Sequence, residues 1–192
     1  MHLLSEAVRQ GVNLQTHTPV TAVSDTPDAG GFQSLTTSRG VIRAKKVVYA
    51  TNAYTSSLLP EFTNKIVPVR GICSHITIPD EKRQASLLGN SYVLRFSPYE
   101  YEYLVPLPDG GIVLGGSRST HYHDLESWYN NVEDDKVIKS SAQYFDGYMQ
   151  RWFQGWEGSG AYVSKVWSGS KFQPFSELGD LLTPLSSHGL LV

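Results

Sequence analysis

The chain has 192 residues, which suits roughly one domain or one and a half. It is 40% hydrophobic and 18% charged, a globular composition rather than a disordered one. A net charge of −2 argues against a general binder of nucleic acid or anionic membranes. The single cysteine, Cys73, excludes an internal disulfide and suits a reducing, intracellular setting such as cytoplasm or peroxisome.

Leu3, Leu4, Ala7 and Val8 recur at helical spacing, and Gly11 stands where a helix-ending glycine belongs. These residues predict a helix over about residues 2–10. The opening MHLLSEAVRQ lacks the pattern of a signal peptide, and no apolar run is long enough to cross a membrane. Val12 to Thr16 alternates as a strand does, and Thr18 to Val23 continues with β-formers after the break at Pro19. DTPDAGG (25–31) is a loop, Phe32 to Thr37 a strand, Ser38-Arg39-Gly40 a turn, and Val41 to Ala44 a further strand. Val47 to Ala50 is a nearly continuous apolar run, the mark of a buried, parallel-type strand. Thr51 or Asn52 then caps a short helix toward Leu59, and Pro60 ends it.

Beyond residue 62 the pattern changes. Ile66 to Ile78, Tyr92 to Phe96, Tyr101 to Pro106 and Gly111 to Gly115 read as antiparallel strands, with a hairpin turn at Pro108-Asp109-Gly110. Apolar residues from Val137 to Phe153 recur at steps of three and four, and Asn131 with Glu133, Asp134 and Asp135 makes a helix start. One long helix is therefore expected over 132–153. Gly158 to Trp167 returns to strand. The fold class is mixed, α/β in the first part and α+β in the second, an antiparallel sheet with a helix on one face.

Candidate chemistry is sparse. The end of the run KKVVYATNAY (45–54) brings small residues to the start of a helix, where a backbone can approach a phosphate or carbonyl oxygen. An ordinary strand-to-helix turn with no ligand is the commoner reading of such a pattern. The glycines of GGIVLGG (110–116) do not form a GxGxxG loop, and no such fingerprint occurs in the chain. His121, His123 and Asp124 form HxHD, but no further ligand is evident, so no metal site is assigned. Ser56, Ser57 and Ser159 lack a GxSxG context. Cys73 reads as a small buried side chain, and His188 lies in the tail. Arg70 suits a carboxylate partner or a surface. Tyr99, Tyr101 and Tyr103 alternate, so they share one face of a strand and line either a pocket or a core.

Five stretches in order carry a resemblance. They are NLQTHTPVTAV (13–23), TSRGVIRAKKVVYATNAYTSSLLPEF (37–62), IVPVRG (66–71), YLVPLPDGGIVLGG (103–116) and FQGWEGSGAYVSKVWSG (153–169). Together they resemble the D-amino-acid oxidase-like FAD-dependent oxidoreductases, the family of sarcosine and glycine oxidases, most closely its fungal members. The resemblance implies part of an FAD-binding α/β domain with a β-meander over 1–62 and a substrate-domain sheet and helix over 63–169. It also implies a divergent tail over 170–192. It places Val20, Ala50, Thr51, Asn52 and Ala53 beside the dinucleotide and Trp167 and Gly169 near the flavin ring. It makes Arg70, Tyr101 and Tyr103 candidates for the substrate pocket. The family chemistry is hydride transfer to FAD from the carbon next to an amine, with a small amine or amino acid as substrate. No general base is assigned.

Two departures set further expectations. The family's opening strand, GxGxxG turn and helix have no counterpart here, and SKFQPFSELGDLLTPLSSHGLLV (170–192) matches no closing segment of the family. The chain therefore reads as truncated at both ends and is expected to hold FAD weakly. Its alternatives are a non-catalytic remnant or binding module of the same family, and an unrelated β-rich interaction domain.

Overall fold

The computed structural model describes residues 2–79, 88–98 and 100–174. It divides into two compact units, Met1–Ala50 and Thr51–Val192.

The first unit opens with α1 (His2–Arg9). Gly11 ends it at φ +97°, with Gly11 N–H donating to Val8 O and Val12 N–H to Ala7 O. This pair of bonds satisfies the last free carbonyls of a helix, and glycine is the residue that adopts the required left-handed turn at little cost. Three antiparallel strands follow, β1 (Val20–Val23), β2 (Gln33–Thr37) and β3 (Gly40–Ala44), in the order β1-β2-β3. A bulge between Val20 and Ala22 interrupts the first pairing. In the loop before β2, Asp28 Oδ1 accepts the N–H groups of Gly30 (2.9 Å) and Phe32 (3.0 Å), and Asp28 also pairs with Arg43. Those contacts, with the Phe32 N–H first, hold its carboxyl below the usual carboxylate range.

Two expected strands are absent. Residues 12–16 and 47–50 are not in the sheet, and Val48 is 88% exposed. Extended chain becomes a strand when a neighbour takes its N–H and C=O groups, and the three strands of this unit leave neither segment paired.

The second unit begins with a 3-10 turn at Asn52–Tyr54, α2 (Thr55–Leu58) and a second 3-10 turn at Pro60–Phe62. A five-stranded antiparallel sheet follows, from β4 (Ile66–Thr77), β5 (Tyr92–Arg95), β6 (Tyr101–Pro106), β7 (Ile112–Gly115) and β8 (Tyr162–Pro174), in the order β5-β6-β7-β4-β8. At the expected hairpin, Leu107 N–H donates to Gly111 O (2.8 Å), and Gly110 takes φ +84°. β4 and β8 pair from Ile66↔Pro174 to Thr77↔Tyr162, with a bulge between His75 and Ile76. The last strand therefore continues past Gly169, into the segment where no resemblance was found.

One face of this sheet is the core. Ile72, Ile76, Leu104, Ile112 and Leu114 pack there against Trp128, Ile138, Phe145, Tyr148, Met149 and Trp156. Glu102 is buried on β6 and accepts the Tyr144 hydroxyl, which ties the strand to the layer beneath.

The long helix expected over 132–153 is not formed. Residues 132–138 are turns and irregular chain, Lys139–Phe145 is 3-10, and α4 covers only Tyr148–Trp152. Gly147 at φ +63° breaks the run. Asp134, expected in a first helical turn, instead accepts the Tyr54 hydroxyl and the Ser170 N–H. The apolar spacing did mark the buried side correctly, since Ile138, Phe145 and Met149 are all buried. No described helix is long and apolar enough to cross a membrane.

Candidate active site

The candidate site arises where β7 stops. Gly116, at φ +136°, turns the chain off the sheet, and its N–H reaches Ile72 O at 3.3 Å. β7 pairs with β4 only from Cys73 to Ile76. Residues 69–72 of β4 thus lose that ladder, and an isolated bridge from Val69 to Tyr129 stands in part of its place. A cavity of about 120 Å³ opens in the gap. Val69, Gly71, Ile72 and Gly116 form its backbone wall, and Trp128, from the short helix α3 (Leu125–Trp128), adds an aromatic side.

All three substrate candidates line this cavity: Arg70, Tyr101 and Tyr103. Tyr101 is 45% exposed, at the mouth. Tyr103 lies flat across Gly115, where an added Cβ would sit 2.3 Å from the ring. Its hydroxyl is 3.2 Å from Cys73 Sγ. Burial first, and then Cys73, push the phenol well above its ordinary value. Tyr99, the third member of the alternation, lies outside the described residues.

Arg70 is buried, not superficial. One terminal nitrogen donates to Ser127 O at 2.9 Å and the other to Lys136 O. Nε is buried with no partner among the described residues. The guanidinium also lines a second, wider cavity of about 550 Å³ on the side of Asp124, Glu133 and Lys136. Two carbonyls fix this guanidinium in place, and its Nε–H is the donor left to meet an anion.

Three further residues line the cavity that sequence reasoning did not single out for it: Arg118, His121 and Lys171. Arg118 lies over the Tyr122 ring at 5.9 Å, and burial lowers its pKa. Its only sequence signal is a cation directly after a strand-ending Gly-Gly-Ser. His121 Nδ1 is 2.8 Å from Ser141 Oγ, and burial pushes its pKa down to about 4, so it is neutral at pH 7. His123, its partner in the HxHD motif, is exposed. Among the described residues no group of three or more His, Cys, Asp and Glu side chains could hold a metal.

The cofactor candidates divide between the units. Val20 is half-buried on β1 and Ala50 is exposed, both in the first unit. In the second, Thr51 Oγ1 is 2.8 Å from Thr55 Oγ1, Asn52 is exposed at φ +47°, and Ala53 is buried. Trp167 pairs with Cys73 across β4 and β8, and Gly169 with Gly71. A Cβ added at Gly71 or Gly169 would meet nothing within 4 Å, so this glycine pair leaves a bare strip of backbone beside the cavity. That strip suits the edge of a planar ring. Among the described residues a pyrophosphate finds no comparable donor set: α2 has four residues, and Thr51 makes no side-chain cap bond. The described residues therefore do not fit a whole dinucleotide.

Comparison with known proteins places the chain first by fold and then by family. Its structure is similar to glycine oxidase from Geobacillus kaustophilus, with a TM-score of 0.57 at 19% identity over 88% of this chain and 40% of that one. It is also similar to the open form of NikD, described as an unusual amino acid oxidase essential for nikkomycin biosynthesis, with a TM-score of 0.53 at 18% identity over 90% and 43%. The chain thus spans about two fifths of these proteins, and at such identity the likeness establishes the fold. The model of the FAD dependent oxidoreductase family matches residues 1–187, and the chain belongs to that family. The match takes in most of the segment 170–192. No curated protein matches the chain.

Proposed function

We propose that the second unit supplies the substrate side of an FAD-dependent oxidoreductase acting on a small amine or amino acid. The observation that carries this reading is the convergence of Arg70, Tyr101 and Tyr103 on one small cavity. The sequence singles out Arg70 and the alternating tyrosines for separate reasons. The names of the similar structures, a glycine oxidase and an amino acid oxidase, agree in substrate class. When bound, FAD supplies the hydride acceptor for oxidation of the carbon next to the amine. In this reading Arg70 binds the substrate carboxylate, Tyr101 covers the mouth, and Tyr103 with Trp128 excludes water. Val20, Ala50, Thr51, Asn52, Ala53, Trp167 and Gly169 are the proposed cofactor-side positions. His121, neutral and engaged with Ser141, is not assigned a proton to move. A net charge of −2 favours a small-molecule partner over nucleic acid.

A second reading, a non-catalytic binding module of the same family, is favoured by the poor donor set for pyrophosphate around α2. Purified chain, mixed with FAD and freed of excess, separates the two. A retained flavin spectrum that bleaches when a small amino acid is added supports the oxidoreductase. A colourless chain that still binds the amino acid supports the module. A colourless chain that binds no amino acid removes both.

A further inference from the structure

The cavity next to β7 is unusual in its charge. Arg70, Arg118 and Lys171 all line it, and among the described residues no Asp or Glu does. They come from three places: Arg70 from β4, Arg118 from the segment after β7, and Lys171 from β8, where it stands opposite Val69. Arg70 is 6% exposed, and its buried Nε has no partner among the described residues. The histidine that shares the wall, His121, is 5% exposed and makes its bond to Ser141. Glu100 acts on Arg118 electrostatically without lining the cavity. Asp124 and Glu133 line the wider cavity on the other side of Arg70.

An amino acid with one carboxylate and a protonated amine brings no net charge to this lining. Its ammonium group would be repelled by three cations at short range in a partly dry space, where such forces are much stronger than in water. A ligand with two carboxylates offers a partner to more of the cationic lining, and forked guanidinium groups bind carboxylates well. The same field also favours the neutral amine, because nearby like charge disfavours its protonated form. Size limits the ligand as well. The cavity is small, about 120 Å³, and open on one side, which favours a short ligand over a long one.

We propose that this cavity selects a short amino acid bearing a second acidic group, an amino dicarboxylate, over amino acids with a single carboxylate. The proposal rests on the reading of the cavity as the substrate site. Arg70 and Arg118 hold one carboxylate between them, and Lys171 meets the other at the open edge of the sheet.

The test is a binding titration of the 192-residue chain at low salt with aspartate and with alanine, each as both enantiomers. Chemical shifts of Tyr101 and Trp128 report the site. Aspartate is expected to bind at least tenfold more tightly than alanine. Arg118→Gln and Lys171→Gln, made separately, are each expected to cut that ratio below threefold. Lys171 is exposed, so its variant keeps the fold even where Arg118→Gln does not. Equal binding of the two amino acids, with the site's signals responding, overturns the selectivity and leaves the substrate-site reading standing. A tenfold preference that survives in Lys171→Gln also overturns it. Silence of Tyr101 and Trp128 to both ligands overturns the proposal and the reading beneath it.

Discussion

The two units use the same local devices to different depth. In the first, the helix-ending Gly11, the Asp28 loop and a two-residue hairpin are all in place, yet α1 buries no residue and Val41 and Ile42 on β3 are 63% and 49% exposed. In the second, a five-stranded sheet presses one face onto aromatic and aliphatic side chains that are almost wholly buried. Turn chemistry and hydrogen-bonded ladders define a chain path. Burial of apolar surface, at about 25 cal/mol per Å², is what makes that path cooperative. The amides of β4 and β8 are therefore expected to exchange much more slowly than those of β1 to β3.

The largest expected effect tests that core directly. Phe145 is fully buried among Tyr144, Tyr148 and the sheet. Phe145→Ala should destabilise the second unit by about 3–5 kcal/mol, through lost transfer energy and the cavity left behind. Urea unfolding followed by tryptophan fluorescence checks this, because all four tryptophans lie in that unit. Exchange rates in β1 to β3 should not change; if they rise with those of β4, the two units are one cooperative system and the contrast fails.

Acid should act on the same unit through His121. Its folded pKa, about 4, lies below the ordinary 6.5. The unfolded chain therefore binds this proton first, and stability present above about pH 6.5 is lost as pH falls toward 4. A tenfold difference in proton affinity between the folded and unfolded chain is worth roughly 1.4 kcal/mol, so the loss is on the order of 3 kcal/mol at most. Unfolding midpoints between about pH 7.5 and 3.5, which bracket this window, measure it. His121→Gln should flatten that slope; an unchanged slope would assign it to carboxylates instead.

Much of this second unit is legible in the sequence, and the misses share a cause. Tyr101–Pro106 has the bounds that its sequence predicts, because alternation, flanking turns and a Pro-Asp-Gly signal all agree there. Ile138, Phe145 and Met149 share a buried side, as their spacing implies. They do not lie on one helix, because apolar spacing does not reveal that Gly147 takes φ +63° or that Asp134 is claimed by Tyr54 and Ser170. Val47 to Ala50 departs from expectation for a related reason: an apolar run shows what could be buried, not whether a neighbouring strand is there. At the site, Arg70, Tyr101 and Tyr103 carry local signals. Arg118, His121 and Lys171 reach the cavity only through the turn at Gly116 and the β4–β8 register, which are tertiary facts.

A finer contrast lies between the two faces of the second sheet. Gly115 has no room for a side chain because Tyr103 crosses it on the way to Cys73. Gly115→Ala should cost about 1–3 kcal/mol, the usual range for overpacking, and should displace Tyr103 from the cavity wall. The hydroxyl then leaves Cys73 and its pKa falls back toward the ordinary 10.0, which an ultraviolet titration of tyrosinate would show. A variant with unchanged titration would mean that the strand moves and the ring does not.

The smallest expected change belongs to the first unit. Gly11 is at φ +97° with nothing within 4 Å of an added Cβ, so Gly11→Ala meets no clash with neighbouring atoms. Its cost is conformational, about 1–2 kcal/mol for an L-residue in the left-handed region. That strain falls on two bonds, Gly11 N–H to Val8 O and Val12 N–H to Ala7 O, and so on the last turn of α1. Because α1 buries no residue, nothing outside the helix is expected to resist its fraying. Amide exchange from Val8 to Val12 should quicken by about tenfold, the factor that roughly 1.4 kcal/mol implies, while the second unit's midpoint stays where it was. A shift in that midpoint would show that a helix without a buried face still supports the larger sheet, and the difference between the units would then lie in packing alone, not in cooperativity.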